Sequence, residues 1–157
     1  MTGLLDLLQD FHRDKLAAFV RHQATARVVS QYDANNAYQY VIAREEVQLA
    51  WVEEAIAAVG GHVEAPAADA AARDQPAAAA MSEDVRAAQE FVDRWRPRIE
   101  TMDDARYLGM LRIVIGETLE HKRFFEQALA GRMDLLGRRS DAVGARVGSV
   151  LPTRWIE

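Results

Sequence analysis

The sequence predicts an all-α protein: a four-helix bundle in which one long crossover joins two helical hairpins. Three observations predict it. Apolar residues recur three or four apart along four segments, and strand-like alternation is sustained nowhere. Short turns join the first segment to the second and the third to the fourth, whereas an Ala- and Pro-rich stretch separates the two pairs. The 157 residues, 50% of them hydrophobic, suffice for one domain with a sizeable core.

The first helix is expected over residues 4–29. Leu4, Leu8, Phe11, Lys15, Ala18, His22, Ala26 and Val29 form its stripe, widened by Leu5, Leu16 and Phe19. Residues 30–33 read as a tight turn, with Asp33 capping the second helix. That helix, residues 34–59, has the stripe Ala34, Tyr38, Val41, Glu45, Leu49, Val52, Ile56 and Val59, and Gly60-Gly61 stops it. Each of the two spans about 39 Å at 1.5 Å per residue. So short a turn makes them antiparallel neighbours.

Residues 60–81 read as a linker within the bundle, with Pro66, Pro76 and almost no large apolar side chain. Roughly 20 extended residues span about 66–70 Å. The third helix can therefore start at the opposite end of the hairpin. Ser82 is its expected N-cap, Glu83 and Asp84 suit its first turn, and Val85, Ala88, Val92 and Trp95 share a face beside Phe91 until Pro97 breaks or kinks it. The fourth helix, from about Asp103 to Ala130, carries Tyr107, Leu111, Val114, Thr118, His121, Phe125 and Ala128. Gly109 and Gly116 are expected to admit a close neighbouring helix. The bundle is thus 1–131, and 132–157 is a C-terminal tail.

Composition removes several function classes. With no cysteine, the chain has no disulfide scaffold, zinc finger, thiolate iron–sulfur site or cysteine nucleophile. No apolar run approaches the roughly 18 residues of a membrane span. Asp6, Asp10, Asp14 and Lys15 interrupt the first twenty residues, unlike a signal peptide, so a cytoplasmic location is expected. Five arginines against Asp134, Asp141 and Glu157 give the tail +2, leaving −7 on residues 1–131 of a chain totalling −5. So acidic a body argues against a nucleic-acid partner. No Gly-rich phosphate loop and no Gly-x-Ser-x-Gly elbow is present.

Two segments bear a family resemblance. Arg44-Glu45-Glu46-Val47-Gln48-Leu49-Ala50-Trp51-Val52-Glu53-Glu54-Ala55-Ile56, running into Gly60-Gly61, resembles the second helix of rubrerythrin- and bacterioferritin-type ferritin-like proteins. Gly116-Glu117-Thr118-Leu119-Glu120-His121-Lys122-Arg123-Phe124-Phe125 is similar to their fourth. Such bundles share the single long crossover, and hold two metals with one Glu from each of two helices and Glu-x-x-His from the other two. The resemblance implies iron or manganese, with Glu46 as the second-helix acid and Glu117, Glu120 and His121 as fourth-helix ligands.

The motif is incomplete. Leu49 stands where the second-helix histidine belongs, and Thr118 stands three residues before His121. The first helix has no glutamate, only Asp10, His12, Asp14, His22 and Gln23, and Glu90 lies off the apolar face of the third. Glu45, on the stripe between Val41 and Leu49, reads as a buried acid that needs a partner, with Arg112 or His121 across the bundle to supply it. Glu46, Glu53 and Glu54 read equally as a solvated face near Arg44 and Arg123. Tyr38, Tyr40, Trp51, Phe124 and Phe125 read as core aromatics or as the lining of a ligand cavity.

The tail ends in Val150-Leu151-Pro152-Thr153-Arg154-Trp155-Ile156-Glu157. Leu151, Trp155 and Ile156 are candidate partner-binding residues, since burying them removes large apolar groups from water. They fold back onto the bundle or enter a partner's groove. Gly148-Ser149-Val150-Leu151 is similar to the docking peptides of ferritin-like cargo proteins in encapsulin shells. Three readings stand: a binding or assembly subunit acting through bundle surface and tail, as a homo-oligomer or in a larger assembly; an iron or manganese protein handling oxygen or peroxide; and a carrier of an apolar small molecule.

Overall fold

Among the described residues there are four helices, α1 (Thr2–Ala26), α2 (Tyr32–Ala58), α3 (Ala77–Ile99) and α4 (Ala105–Leu129), followed by a 3-10 turn at Leu135–Gly137. The structure, a computed structural model, describes residues 2–63, 73–132 and 134–137. Leu151, Trp155 and Ile156 lie outside the described residues.

The helices end where local chemistry ends them, though not always at the expected residue. Gln31, not Asp33, caps α2: its side-chain oxygen accepts from Ala34 N at 2.7 Å. At the other end of α2, Gly60 N donates to Ala57 O and Gly61 N to Ile56 O, a Schellman closure in which Gly60 takes φ +90°. A Cβ on Gly61 would collide with Leu5. Helix α3 begins five residues before Ser82, because Ala77 to Ala80 are the best helix formers available and Pro76 precedes them in extended conformation. It continues through Pro97 to Ile99. Pro97 sits in the last turn, and Asp93, the residue whose carbonyl loses its helical donor, is exposed. Asp104 caps α4, accepting from the backbone N–H groups of Arg106 and Tyr107.

Each helix packs against two others: α1 on α2 and α3, and α4 on α2 and α3. Cross-helix bonds fix the directions. Asp10 meets Arg98 while Thr25 meets Asp84, so α1 and α3 are antiparallel. Arg44 meets Glu117 while Tyr38 stacks on Phe125, so α2 and α4 are antiparallel. The diagonal helices α2 and α3 therefore run parallel, and the crossover returns the chain along the bundle. It leaves beside Leu5 and is met again at Arg73, which bonds Thr25 about 30 Å away along α1. This is a four-helix bundle with one long crossover, between its second and third helices.

A buried acid secures the crossover's end. Asp84 accepts hydrogen bonds from Thr25 Oγ1 (2.7 Å), Tyr38 Oη (2.7 Å) and Arg73 Nη1 (3.0 Å), joining α1, α2, α3 and the crossover. Burial, reinforced by the Asp84 charge, pushes the Tyr38 phenol far above its ordinary range.

Gly109 and Gly116 do not mark a close helix approach; the space beside both is open. In an exposed helix interior glycine costs conformational entropy and returns no packing. Gly116→Ala is expected to stabilise the fold by about 0.5–1 kcal/mol, read as a higher urea midpoint with unchanged slope.

Packing divides the interior into two apolar clusters. One holds Phe11, Val52, Phe91, Trp95, Ile99 and Leu111; the other holds Val29, Tyr38, Val41, Met81 and Phe125. Phe11 packs edge-on against Trp95 (5.0 Å) in the first, and Tyr38 stacks on Phe125 (4.6 Å) in the second. Such pairs add about 0.5–1.5 kcal/mol each beyond area burial. Between the clusters lies a layer of buried polar side chains: Lys15, Glu45, Gln48, Thr118 and His121.

Candidate functional site

That polar layer is the candidate site, and every helix stripe contributes to it by period. Lys15 and His22 lie two turns apart on α1, Glu45 and Gln48 lie three apart on α2, and Thr118 and His121 three apart on α4. Helix α3 closes the fourth side with Ala88 and Phe91.

Glu45 is fully buried and held from two sides by α1. Lys15 Nζ lies 3.0 Å from Oε2 in a fully buried ion pair. His22 Nδ1 donates to Oε1 at 2.7 Å, which assigns that nitrogen the proton. Burial alone would push the Glu45 carboxyl up; the charges of His22 and Lys15, with their hydrogen bonds, outweigh it and hold the group down at about 2. The Lys15 ammonium also lies over the Phe91 ring (5.4 Å) and reaches towards Thr118 Oγ1 at 3.5 Å, the same hydroxyl donating to Val114 O at 2.8 Å. The expected partner Arg112 is elsewhere, on the surface against Glu100.

His121 faces the same space with neither ring nitrogen hydrogen-bonded. Burial first, and then the Lys15 charge, lower its pKa to about 4, so it is a neutral imidazole. A cavity of about 10 Å³ adjoins Lys15, His22, Glu45, Thr118 and His121, room for roughly one water.

The residues expected as metal ligands are dispersed. Glu46 and Glu120 are solvent-exposed, and His121 alone of the four is buried. Glu117, half-buried, is clamped by Arg44 through two bonds of 3.0 and 2.8 Å and by Gln48 Nε2 at 2.6 Å. Among the described residues no three His, Asp or Glu side chains group as a metal site requires. Asp10 and Asp14 pair with Arg98 and Arg94 at the α1/α3 edge, His12 with Glu53, and Glu90 with Arg86. The two inward pairs at i and i+3 are Glu45 with Gln48 and Thr118 with His121, each keeping one ligand-type residue of the Glu-x-x-His pattern and replacing the other. The donor set does not fit two metals, because an ammonium stands against the interior carboxylate.

Sequence reasoning placed Glu45 inside but missed Lys15 as its partner. The signal was present, since Lys15 lies on the apolar stripe between Phe11 and Ala18. Of the expected core aromatics, Tyr38 and Phe125 are buried, whereas Tyr40 is exposed and Trp51 and Phe124 are half-buried along the α2/α4 face. Among the described residues, no helix is long and apolar enough to cross a membrane. Comparison with models of known protein families, with curated proteins and with solved structures finds no match for this chain.

Proposed function

We propose that this chain is a member of the ferritin-like superfamily whose interior ion site is built from protein charges alone, and that it works through its surface as a binding or assembly subunit. One observation carries the reading: the Lys15 ammonium lies 3.0 Å from Glu45 in the buried polar layer between the helices, the part of a bundle from which ferritin-like proteins build metal sites. A lysine supplies the positive charge that an interior carboxylate needs. Thr118 and Gln48 in the i, i+3 pairs remove two further ligands. What is left inside is the Lys15–Glu45–His22 ion network with space for about one water. Interior chemistry on a substrate has no room there, so the surface is the part that remains to do work.

The competing metal reading requires Glu46, Glu117, Glu120 and His121 to converge, against the exposure of Glu46 and Glu120. The test is metal content of the full chain purified without chelator, followed by anaerobic Fe(II) and Mn(II) titration. The expected result is iron and manganese far below one equivalent per chain and no saturable uptake. One or two equivalents bound, and lost in His121→Ala, would overturn the proposal.

A further inference from the structure

The cavity in the polar layer is bordered by hydrogen-bond donors that the protein itself does not use. His121, 2% exposed, lines it, and neither ring nitrogen is bonded to another protein group. Arg21 on α1 lines it too, with a buried Nε that no protein group accepts from. The Lys15 ammonium carries three protons; one side of it meets Glu45 and another reaches towards Thr118 Oγ1. The Thr118 hydroxyl is committed to Val114 O and offers the cavity no proton. An acceptor placed here meets N–H groups from α1 and α4 together. Charge decides which kind of acceptor. Lys15 and Glu45 cancel, and Arg21 leaves one positive charge in excess among these three lining residues. His121 registers the same sign: after burial, the Lys15 charge lowers its pKa, ahead of the opposing Glu45 charge.

From this juxtaposition we propose that the polar layer binds a chloride ion, held by the Lys15 ammonium, the Arg21 Nε–H and an N–H of the neutral His121 ring. Size selects a halide. The cavity of about 10 Å³ takes one water-sized occupant, which excludes a tetrahedral oxyanion such as sulfate or phosphate. A divalent cation would meet the ammonium and the guanidinium. Entry lies between α1 and α3, where the lining runs outward to half-buried Arg21 and Ala87 past the small side chains of Ala18 and Ala88. The ion gives three donors an acceptor and offsets the excess charge, because charge-assisted hydrogen bonds repay part of its lost hydration. A ligand that binds the folded chain and not the unfolded one stabilises the fold, so folding becomes linked to halide concentration. This inference goes beyond the reading above, adding one exogenous anion to the protein's own charges, and rests only on the interior being free of metal.

The test is chloride-35 NMR of the full chain, with urea unfolding alongside, in sodium chloride from about 1 to 300 mM balanced by sodium isethionate at constant ionic strength. The expected result is an excess chloride line width that saturates, and a urea midpoint that rises along the same curve. Bromide is expected to displace the chloride, and sulfate to leave it bound. Arg21→Gln and His121→Leu each remove one donor and are expected to weaken chloride binding at least about tenfold, with far-UV circular dichroism unchanged. His121→Leu should fall behind the parent in stability only as chloride is added. A parent without saturable broadening overturns the proposal and leaves the cavity to water. Broadening that sulfate abolishes, or that both variants keep, places the anion at the surface and overturns it as well. Iron and manganese titration in chloride-free buffer reports the metal-free reading separately, so the failure of either is distinguishable from the failure of the other.

Discussion

Lys15→Met is expected to lower the unfolding free energy by about 3–5 kcal/mol, the largest effect of any single substitution in the polar layer. Methionine fills nearly the same volume, so packing around Phe91 is kept. What is lost is the cation beside Glu45, which stays fully buried with His22 as its one remaining partner. Removing half of a buried pair is costly because the other charge is stranded, whereas removing both halves often costs nothing. The double variant Lys15→Met, Glu45→Leu is therefore expected within about 1 kcal/mol of the parent or above it, a coupling read from urea unfolding of all four proteins. A single variant less than about 1 kcal/mol below the parent would show that the carboxylate is not dependent on Lys15. Such a result would remove the observation that supports the proposed function.

Acidification should unfold the protein through two adjoining windows. The His121 pKa is lowered from 6.5 to about 4 in the folded state, by burial first and Lys15 second, with Glu45 and Glu117 opposing. Between those values the unfolded chain binds a proton that the folded one refuses. The contribution is complete above pH 6.5 and is lost as the pH falls towards 4, about 3 kcal/mol in all at 1.36 kcal/mol per unit. Glu45, lowered from 4.5 to about 2, acts in the same direction over the next window, losing its contribution as the pH falls from 4.5 towards 2. His121→Leu removes the upper window alone. Its urea midpoint should therefore fall much less than the parent's between pH 6.5 and 4.5, with the lower window intact. Because neither His121 nitrogen has a hydrogen-bond partner, the leucine variant is also expected to match or exceed the parent's stability at pH 7. Equal slopes for parent and variant would mean that His121 is not a buried neutral imidazole.

How the site was legible varies from residue to residue. Glu45 could be placed inside because it falls four residues after Val41 and four before Leu49, and a helix keeps such positions on one face. Its neighbour Glu46 carried the motif resemblance but is turned about 100° away, which puts it in water. His121 was legible by the same periodicity as Glu45. Lys15 was on its stripe too, yet a lysine among apolar residues is ordinarily read as reaching out to solvent, and nothing local shows that an acid lies opposite. The caps were less legible: Gln31 rather than Asp33 holds α2, and Ala77 to Ala80 extend α3 beyond the expected Ser82, because several neighbouring residues compete for each end.

The sequence by itself determined the four helices, the face each one buries, the crossover between the second and third, and the presence of an acid in the interior. These follow from a period of 3.6 residues and from breakers such as Gly60 and Pro76, which act within a few residues of themselves. The tertiary structure decided who meets whom: Lys15 and His22 with Glu45, Arg44 with Glu117, Arg112 with Glu100, and Tyr40 at the surface while Tyr38 is buried. Those pairings depend on which helices are neighbours rather than diagonals, and on the offset along their axes. Both are set by packing between segments tens of residues apart, on which local periodicity places no constraint.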